Sequence, residues 1–446
     1  MHSRTERTPE AVRRPAVIVM SDLVVLARQS RLIEEIVARD LVPLVLVGPD
    51  TPMDRLRAHM ADPTHPLSVL SELVQVPDPA VDTVLCAVQD WVREYEVKAS
   101  VCCGEVFVDP AGALNDLLRL PGPGGWASRV CRDKIMQRTA LDAFSPRWRA
   151  VAPAERSRAE PPGYPAVVKP AGRMYSSGVR RVDDAGQLRA ALQEYGPEEF
   201  VLLEELVEGP EFSVEALVYD GAVLWSGITA KRTNEDGGHF FTELGHTCPA
   251  PGLTAAEESA LTRANAGVLA AVGLRHGITH AEFRLSGGRA VLMEVAARLP
   301  GDAITMLWHL ATGAPLEPAI VDLALGAKPD YPEPVRRAAQ RYLDHESGTL
   351  SEVRTAPGGP DVSWIPCDGR WPATEATGAD APARHTAVLV TRAVGELLGE
   401  QVDSVARAVS VVGDAPLTAD IDAPGRQWAS SVRVTTRPPT AAAGDR

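Results

Sequence analysis

The stretch "HAEFRLSGGRAVLMEVAARLPGD", His280 to Asp302, decides how this chain folds. Apolar side chains take alternate positions at Phe283, Leu285, Val291, Met293 and Val295, the period of a half-buried strand pair. A turn over Gly287, Gly288 and Arg289 joins the two arms. That turn sets Glu282 directly across from Glu294, on the face opposite the apolar one. Directly opposed side chains sit about 5 Å apart, where like charges destabilise a sheet. The hairpin alone leaves two readings open: solvent screens the pair, or a hard cation such as Mg2+ lies between the carboxylates.

Upstream, three further segments carry candidate chemistry. "CRDKIMQ" places Lys134 early in a helix, where a lone lysine usually means a solvated face. "AVVKPAGRMYSSGVRRV" (Ala166 to Val182) reads as a strand ending at Lys169-Pro170, a loop closing on Ser176-Ser177-Gly178, and a second strand. Glycine-rich backbone between strands can turn its N–H groups toward a phosphate, and a strand lysine adds a point charge. The alternative is an ordinary flexible hairpin. "VLLEELVEGPEFSVEALVYDG" (Val201 to Gly221) reads as strand, Gly-Pro turn and strand, with Glu204, Glu205, Glu208 and Glu211 crowding the corner. Such carboxylates suit a ribose hydroxyl or an amino group, or simply a hydrated acidic turn.

The rest of the chain frames these segments. "AVIVM" (Ala16 to Met20), a helix over Ser30 to Asp40, "LVPLVLVG" (Leu41 to Gly48), a helix near Val81 to Tyr95 and "KASVCC" (Lys98 to Cys103) alternate strand and helix. That rhythm implies a parallel sheet faced by helices. No G-x-G-x-x-G follows its first strand, so the dinucleotide fingerprint is missing. The turn-rich "LPGPGGW" (Leu120 to Trp126) is expected to end this first unit. "HTAVLVTRAVGELLGEQVDSVARAVSVV" predicts a strand and then a helix near the C-terminus, and "RPPTAAAGDR" a disordered tail.

Bulk properties exclude several function classes. A chain of 446 residues with 45% hydrophobic and 23% charged residues is long enough for two to three buried cores. Its formal charge of −14 argues against nucleic acid or anionic membrane as main partner. Apolar runs are too short to span a bilayer, and "MHSRTERTPEAVRR" lacks the apolar core of a signal peptide. Cys86, Cys102, Cys103, Cys131, Cys248 and Cys367 form no C-x-x-C pair, which suggests buried thiols in a reducing cytoplasm. Neither an H-E-x-x-H nor a Walker A pattern occurs.

Taken in order, the four segments resemble the ATP-grasp superfamily, over about Asp133 to Asp302. The resemblance implies an α/β (in part α+β) chain with a Rossmann-like pre-ATP-grasp domain (1–125), a bilobal ATP-grasp core (126–330, lid about 140–205) and a small C-terminal α+β domain (331–446). It implies that Lys134 and Lys169 contact ATP phosphates under a flap of Ser176, Ser177 and Gly178. Glu204, with the backbone of Glu205 and Val207, would meet adenine, and Glu211 the ribose. Glu282 and Glu294 match carboxylates that bridge paired Mg2+ ions, with Mn2+ a possible substitute, and Arg298 the arginine after them. Many members carry asparagine where this chain has Ala296, leaving bidentate Glu294 or water to complete the metal shell.

The reaction implied is activation of a carboxylate as an acylphosphate, which an amine then displaces. "HFFTELGHTCPA" (His239 to Ala250) resembles the E-x-x-H-x-x-P segment of the L-amino acid (dipeptide) ligase branch. Glu243 and His246 would then line the pocket of the first amino acid and act with Arg298 at the acylphosphate. Asp302 is expected at the pocket rim, favouring a cationic substrate group. Expected partners are an amino or carboxylic acid and an amine, with a homodimer possible. The competing expectations are a ligase of carboxylating or purine-pathway type and a nucleotide-binding protein without turnover.

Overall fold

The computed structural model describes residues 13–235 and 241–438. Residues 236–240, at the head of the Glu243–His246 segment, and most of the expected tail lie outside them. Among the described residues, no helix is long and apolar enough to cross a membrane.

The first sheet is parallel, with β1 (Pro15–Ser21), β2 (Val42–Val47), β3 (Glu72–Gln75) and β4 (Glu96–Cys102) in the order β3-β2-β1-β4. Alternate residues of β1 feed two cores: Val17 and Val19 one, Ala16, Ile18 and Met20 the other. Burial on both faces explains the continuous apolar runs. Strand order reverses at β1, so a crevice opens between the carboxyl ends of β1 and β4. Asp22 leaves β1 there and caps the helix Leu23–Arg28, its Oδ1 accepting from Val25 N at 2.8 Å. Glu105 follows β4 at the same edge.

A second, antiparallel sheet holds β5 (Trp148–Val151), β6 (Ala166–Pro170), β7 (Arg180–Val182) and β8 (Val201–Glu205), ordered β5-β8-β6-β7. Val168, Leu188, Leu192, Val201 and Leu203 give it a core of its own. The central sheet has nine strands. It contains β9 (Glu211–Tyr219), β10 (Ala222–Thr233), β11 (Glu243–Cys248), β12 (Gly277–Ser286), β13 (Arg289–Ala296) and β14 (Arg336–Tyr342). It continues through β16 (Val362–Trp364), β17 (Arg384–Val390) and β19 (Val409–Pro416), in the order β13-β12-β9-β10-β11-β14-β19-β17-β16. A small sheet of β15 (Gly348–Thr355), β18 (Leu397–Leu398) and β20 (Val432–Arg437) completes the set.

β8 and β9 belong to different sheets, so the Gly-Pro corner is a crossing between them rather than a hairpin. Gly209 makes the crossing possible. Its φ is +122°, and a Cβ there would come within 1.9 Å of the Leu285 carbonyl oxygen. Pro210 O in turn accepts from Leu285 N at 3.0 Å, fastening the crossing to β12.

The deciding hairpin forms with Glu282 opposite Glu294, as its alternation predicts. Its turn is shorter than expected. Gly287 and Gly288, at φ +57° and +77°, make a two-residue turn, and Arg289 already pairs with Ser286. A bulge after Glu282 absorbs the difference, so Leu292 pairs with Phe283 and Met293 is left only half-buried. Ala281, Phe283, Leu285, Ala290, Leu292 and Val295 supply the core face.

Two further expectations are corrected. No helix lies between β17 and β19: residues 391–408 form loop, the short β18 and a single helical turn at Ser404–Ala406, and the apolar run "VSVV" (Val409 to Val412) belongs to β19. β-branched valines buried on both faces of a central strand override the helical spacing. The cysteines are all unpaired, but Cys86 and Cys367 are exposed rather than buried.

Candidate functional site

The site lies where β6 and β8 of the second sheet face β12 and β13 of the central one. Lys134 opens the helix Lys134–Ala140, whose N-cap Asp133 accepts from Ile135 N and Met136 N. Its Nζ donates to Glu294 Oε1 at 2.9 Å and to the Arg173 carbonyl at 3.1 Å. One lysine thus ties the flap to the hairpin. Burial and the neighbouring Glu282 push the Glu294 carboxyl up, but Lys134 outweighs them and holds it below its usual range.

Lys169, near the end of β6, is buried against Glu204, Nζ to Oε2 2.8 Å. Glu204 also accepts from Arg138 Nε at 2.6 Å, and Arg138 Nη2 donates to Met293 O at 2.6 Å. Burial raises the Glu204 pKa, yet the two cations overcome it and hold it at about 2. Burial and Arg138 lower the Lys169 pKa against the pull of Glu204. The Glu204 carboxylate is therefore a counter-ion within the protein rather than an open receptor for adenine. At the crossing beyond it, Val207 O accepts from Arg284 Nη1 at 3.1 Å. Glu205 turns the other way, to Arg147 Nε at 2.7 Å.

The centre of the site is a lysine. Lys231, on β10 and 1% exposed at its side chain, reaches Glu211 Oε1 at 2.9 Å, Glu243 Oε1 at 2.5 Å and Glu282 Oε1 at 2.6 Å. Burial pulls its pKa down, but the three carboxylates hold it well above the usual lysine value. Glu211 is shared with Arg284, whose Nε lies 2.9 Å from its Oε2. Ligand atoms of Glu211, Glu243 and Glu282 lie within 4.8 Å of one another, a spacing that suits a hard cation. Glu294 is not in that trio; it faces Glu282 across the strand pair and carries Lys134 instead.

His280 braces Glu282 from behind, Nε2 to Oε1 3.3 Å, while its Nδ1 meets Glu215 Oε1 at 2.8 Å. Glu215 is fully buried and satisfied by Ser213, Thr229, Trp308 and His280. Burial opposes the imidazolium, but Glu215 and Glu282 raise the His280 pKa to about 9. Ala296 pairs directly with His280, so the ring sits across from the place where an asparagine is expected.

On the far side of Glu243, His246 Nε2 lies 2.7 Å from Asp302 Oδ2, and Asp302 also accepts from Tyr342 and twice from Arg407. Arg407 lies 4.1 Å from the Tyr342 ring centre. Asp302, at φ +50°, is saturated, so its expected role as receptor for a substrate cation is corrected: Arg407 already fills it. His246 Nδ1, by contrast, is buried with no hydrogen-bond partner. Arg298 donates from Nε to Glu105 Oε2 at 2.5 Å and from Nη1 to Leu299 O at 2.7 Å, linking the hairpin to the crevice edge of the first sheet. In the flap, Tyr175 and Ser176 adopt positive φ and Gly178 φ +76°. Tyr175 O accepts from Ser404 N at 3.0 Å, which docks the flap beside Arg407.

Sequence reasoning missed Arg138, Lys231, His280, Glu105 and Arg407. Two of them left signals. Arg138 stands four residues after Lys134, on the same helical face. Lys231 interrupts the apolar "GITA" run of a strand, where a solvated lysine is out of place. Arg407 left none, because its partner is 105 residues away.

Residues 162–306 match the ATP-grasp domain model. An uncharacterized protein, y4rH, of Sinorhizobium fredii is 29% identical over 324 residues, 67% of this chain and 66% of that one. Carnosine synthase 1 of Gallus gallus is 30% identical over 184 residues, 38% of this chain and 20% of that protein. The chain thus spans less than two thirds of these curated relatives. The crystal structure of an L-amino acid ligase from Bacillus licheniformis superposes with TM-score 0.72 at 19% identity, covering 96% of this chain and 100% of that one. Residues 162–306 of the chain thus match an ATP-grasp domain.

Proposed function

We propose that this protein is an ATP-dependent carboxylate–amine ligase that activates a carboxylate, that of an amino acid, as an acylphosphate. An amine then displaces the phosphate, giving an amide or dipeptide with ADP and phosphate. The observation that carries the reading is the pair Glu282–Glu294, each carboxylate held by its own lysine between the two sheets. Such an array suits a reaction in which a carboxylate and a γ-phosphate, both anionic, must be brought together. On this reading the sheet β5–β8 is the lid of a core spanning 126–330, flanked by units over 1–125 and 331–446.

The pair, with Glu211 and Glu243 near Glu282, offers carboxylate oxygens, the donor set that Mg2+ or Mn2+ prefers. Glu282 and Glu294 would hold it, with Glu211 and Glu243 alongside. When bound, it would offset charge on the transferred phosphoryl group. Lys134 and Lys169 would contact the ATP phosphates beneath Ser176, Ser177 and Gly178. Val207 and the backbone of Glu205 would meet adenine, and Glu211 the ribose. Arg298 spends Nε and Nη1 within the protein, leaving Nη2 to hold an oxygen of the reacting group. His246 donates from Nε2 to Asp302, which leaves Nδ1 as an acceptor for the amino group of the first substrate. Glu243 adds a carboxylate to the same pocket. The names of two similar proteins, carnosine synthase 1 and an L-amino acid ligase, support the branch.

Phosphate release measured across pairs of amino acids, with products read by mass spectrometry, tests the reading. Turnover that yields the condensed amide with at least one pair supports it. No ATP consumption with any pair, or turnover that requires bicarbonate, refutes it.

A further inference from the structure

Arginine burial in this protein follows a rule. Arg138, Arg284, Arg336 and Arg407 are buried, and each has a carboxylate partner: Glu204, Glu211, Asp414 and Asp302. Arg28 breaks it. The residue ends the helix Leu23–Arg28, at the carboxyl edge of β1, and its Nε is buried with no hydrogen-bond partner. Among the described residues it forms no ion pair. Its guanidinium lies 6.0 Å from the ring centre of Trp371, whose backbone N–H donates to Ala27 O at 3.1 Å. Trp371 Nε1 and Gln29 Oε1 are also buried without partners. Arg28 Nε and Trp371 Nε1, on two side chains that face each other, are therefore both unpaired, and a buried unsatisfied polar group costs stability unless a ligand or water completes it.

The location gives these atoms a purpose. Arg28 borders the crevice where strand order reverses, the place where open α/β sheets bind ligands. It lies near enough to Asp302, Asp22, Arg298 and Tyr175 to feel the charge of each. None of the acids satisfies it: Asp22 caps its own helix, and Asp302 is taken by Arg407, His246 and Tyr342. Burial lowers the Arg28 pKa below the usual arginine range. Arg298 is bonded to Glu105, which follows β4 at the same edge.

We infer that Arg28 binds the free carboxylate of the second substrate, so that the amine acceptor is itself an amino acid. An amine attacking a carbonyl held at Arg298 would place a carboxylate one carbon away in the crevice. A planar guanidinium matches that anion in bidentate geometry. The position of this carboxylate in the reaction rests on the ligase reading; the binding of an anion at Arg28 does not.

The test compares each L-amino acid acceptor with its carboxamide, in the wild type and in Arg28→Gln and Arg28→Lys. Wild type should prefer the acid over the amide by about 10- to 100-fold in kcat/KM, the worth of a charge-assisted hydrogen bond. In Arg28→Gln that preference collapses toward unity through the acceptor KM, and Arg28→Lys retains part of it. A preference unchanged by Arg28→Gln, or acid and amide weakened equally, overturns the inference. If wild type turns over no pair, the ligase reading fails, and calorimetry with the same amino acids and amides decides the rest. Acid binding that Arg28→Gln abolishes then upholds the anion site; no acid binding to wild type, or equal binding to both, refutes it.

Discussion

Replacing Lys231 with methionine keeps the length of the side chain and removes the charge on which Glu211, Glu243 and Glu282 converge. Their ligand atoms lie within 4.8 Å of one another. At an effective dielectric of about 20, two charges at that separation repel by about 3.5 kcal/mol, equivalent to about 2.5 pKa units. Arg284, Arg407 and His280 each offset part of this, since they reach Glu211, Glu243 and Glu282 in turn. The net loss expected at pH 8 is about 3–5 kcal/mol, the cost of breaking a buried ion pair. The pH dependence should invert. In the wild type, burial raises the Glu211 and Glu282 carboxyls but Lys231 holds both below their usual range, so their contribution is full above the unfolded pKa and is lost as pH falls. In the variant at least one carboxyl is raised above its unfolded value, so its contribution is full at low pH and is lost as pH rises. Urea unfolding at pH 5 and pH 8 reads both effects. Added Mg2+ should restore stability to the variant more than to wild type, by about 2.7 kcal/mol at a hundredfold excess over its Kd. A loss below about 1 kcal/mol, or an equal loss at both pH values, would refute the view that Lys231 holds the trio together.

Glu204→Gln should flatten the acid limb of the stability curve. The Glu204 pKa of about 2 contributes about 3 kcal/mol above its unfolded value, lost as pH falls toward 2, and chemical denaturation of the variant should lack that slope. His280, raised to about 9 and buried, behaves oppositely: its contribution is complete below pH 6.5 and fades as pH rises through 9. His280→Asn, unfolded in the presence of a chelator, should lose this alkaline dependence, about 3 kcal/mol in all. Arg298→Ala should lower kcat by about 100- to 1,000-fold, as removal of a transition-state donor does, and should also lower the melting temperature, because the buried Glu105 carboxylate loses its partner. An unchanged kcat would remove Arg298 from the chemistry.

Much of this site was legible because it was written in local periodicity. The alternation around Glu282 and Glu294 survived even a wrong turn length, because a bulge restored the pairing. Lys134 and Lys169 lie at a helix start and a strand end that their own neighbours specify. What escaped was long-range. Arg407 reaches Asp302 only because β19 joins the central sheet, a pairing no local pattern announces, and the same valines that build β19 had suggested a helix. Glu105 and Arg298 meet across 193 residues for the same kind of reason. The role expected of Asp302 was lost to a partner, not to distance, since nothing in "RLPGD" shows that an arginine will occupy it.

The central claim is that a carboxylate is phosphorylated before an amine displaces the phosphate. Its most direct test is turnover of an accepted pair with the donor carboxylate labelled in 18O. The account predicts one labelled oxygen in the released phosphate for each amide formed, together with ADP. Unlabelled phosphate, or AMP with pyrophosphate, would contradict it.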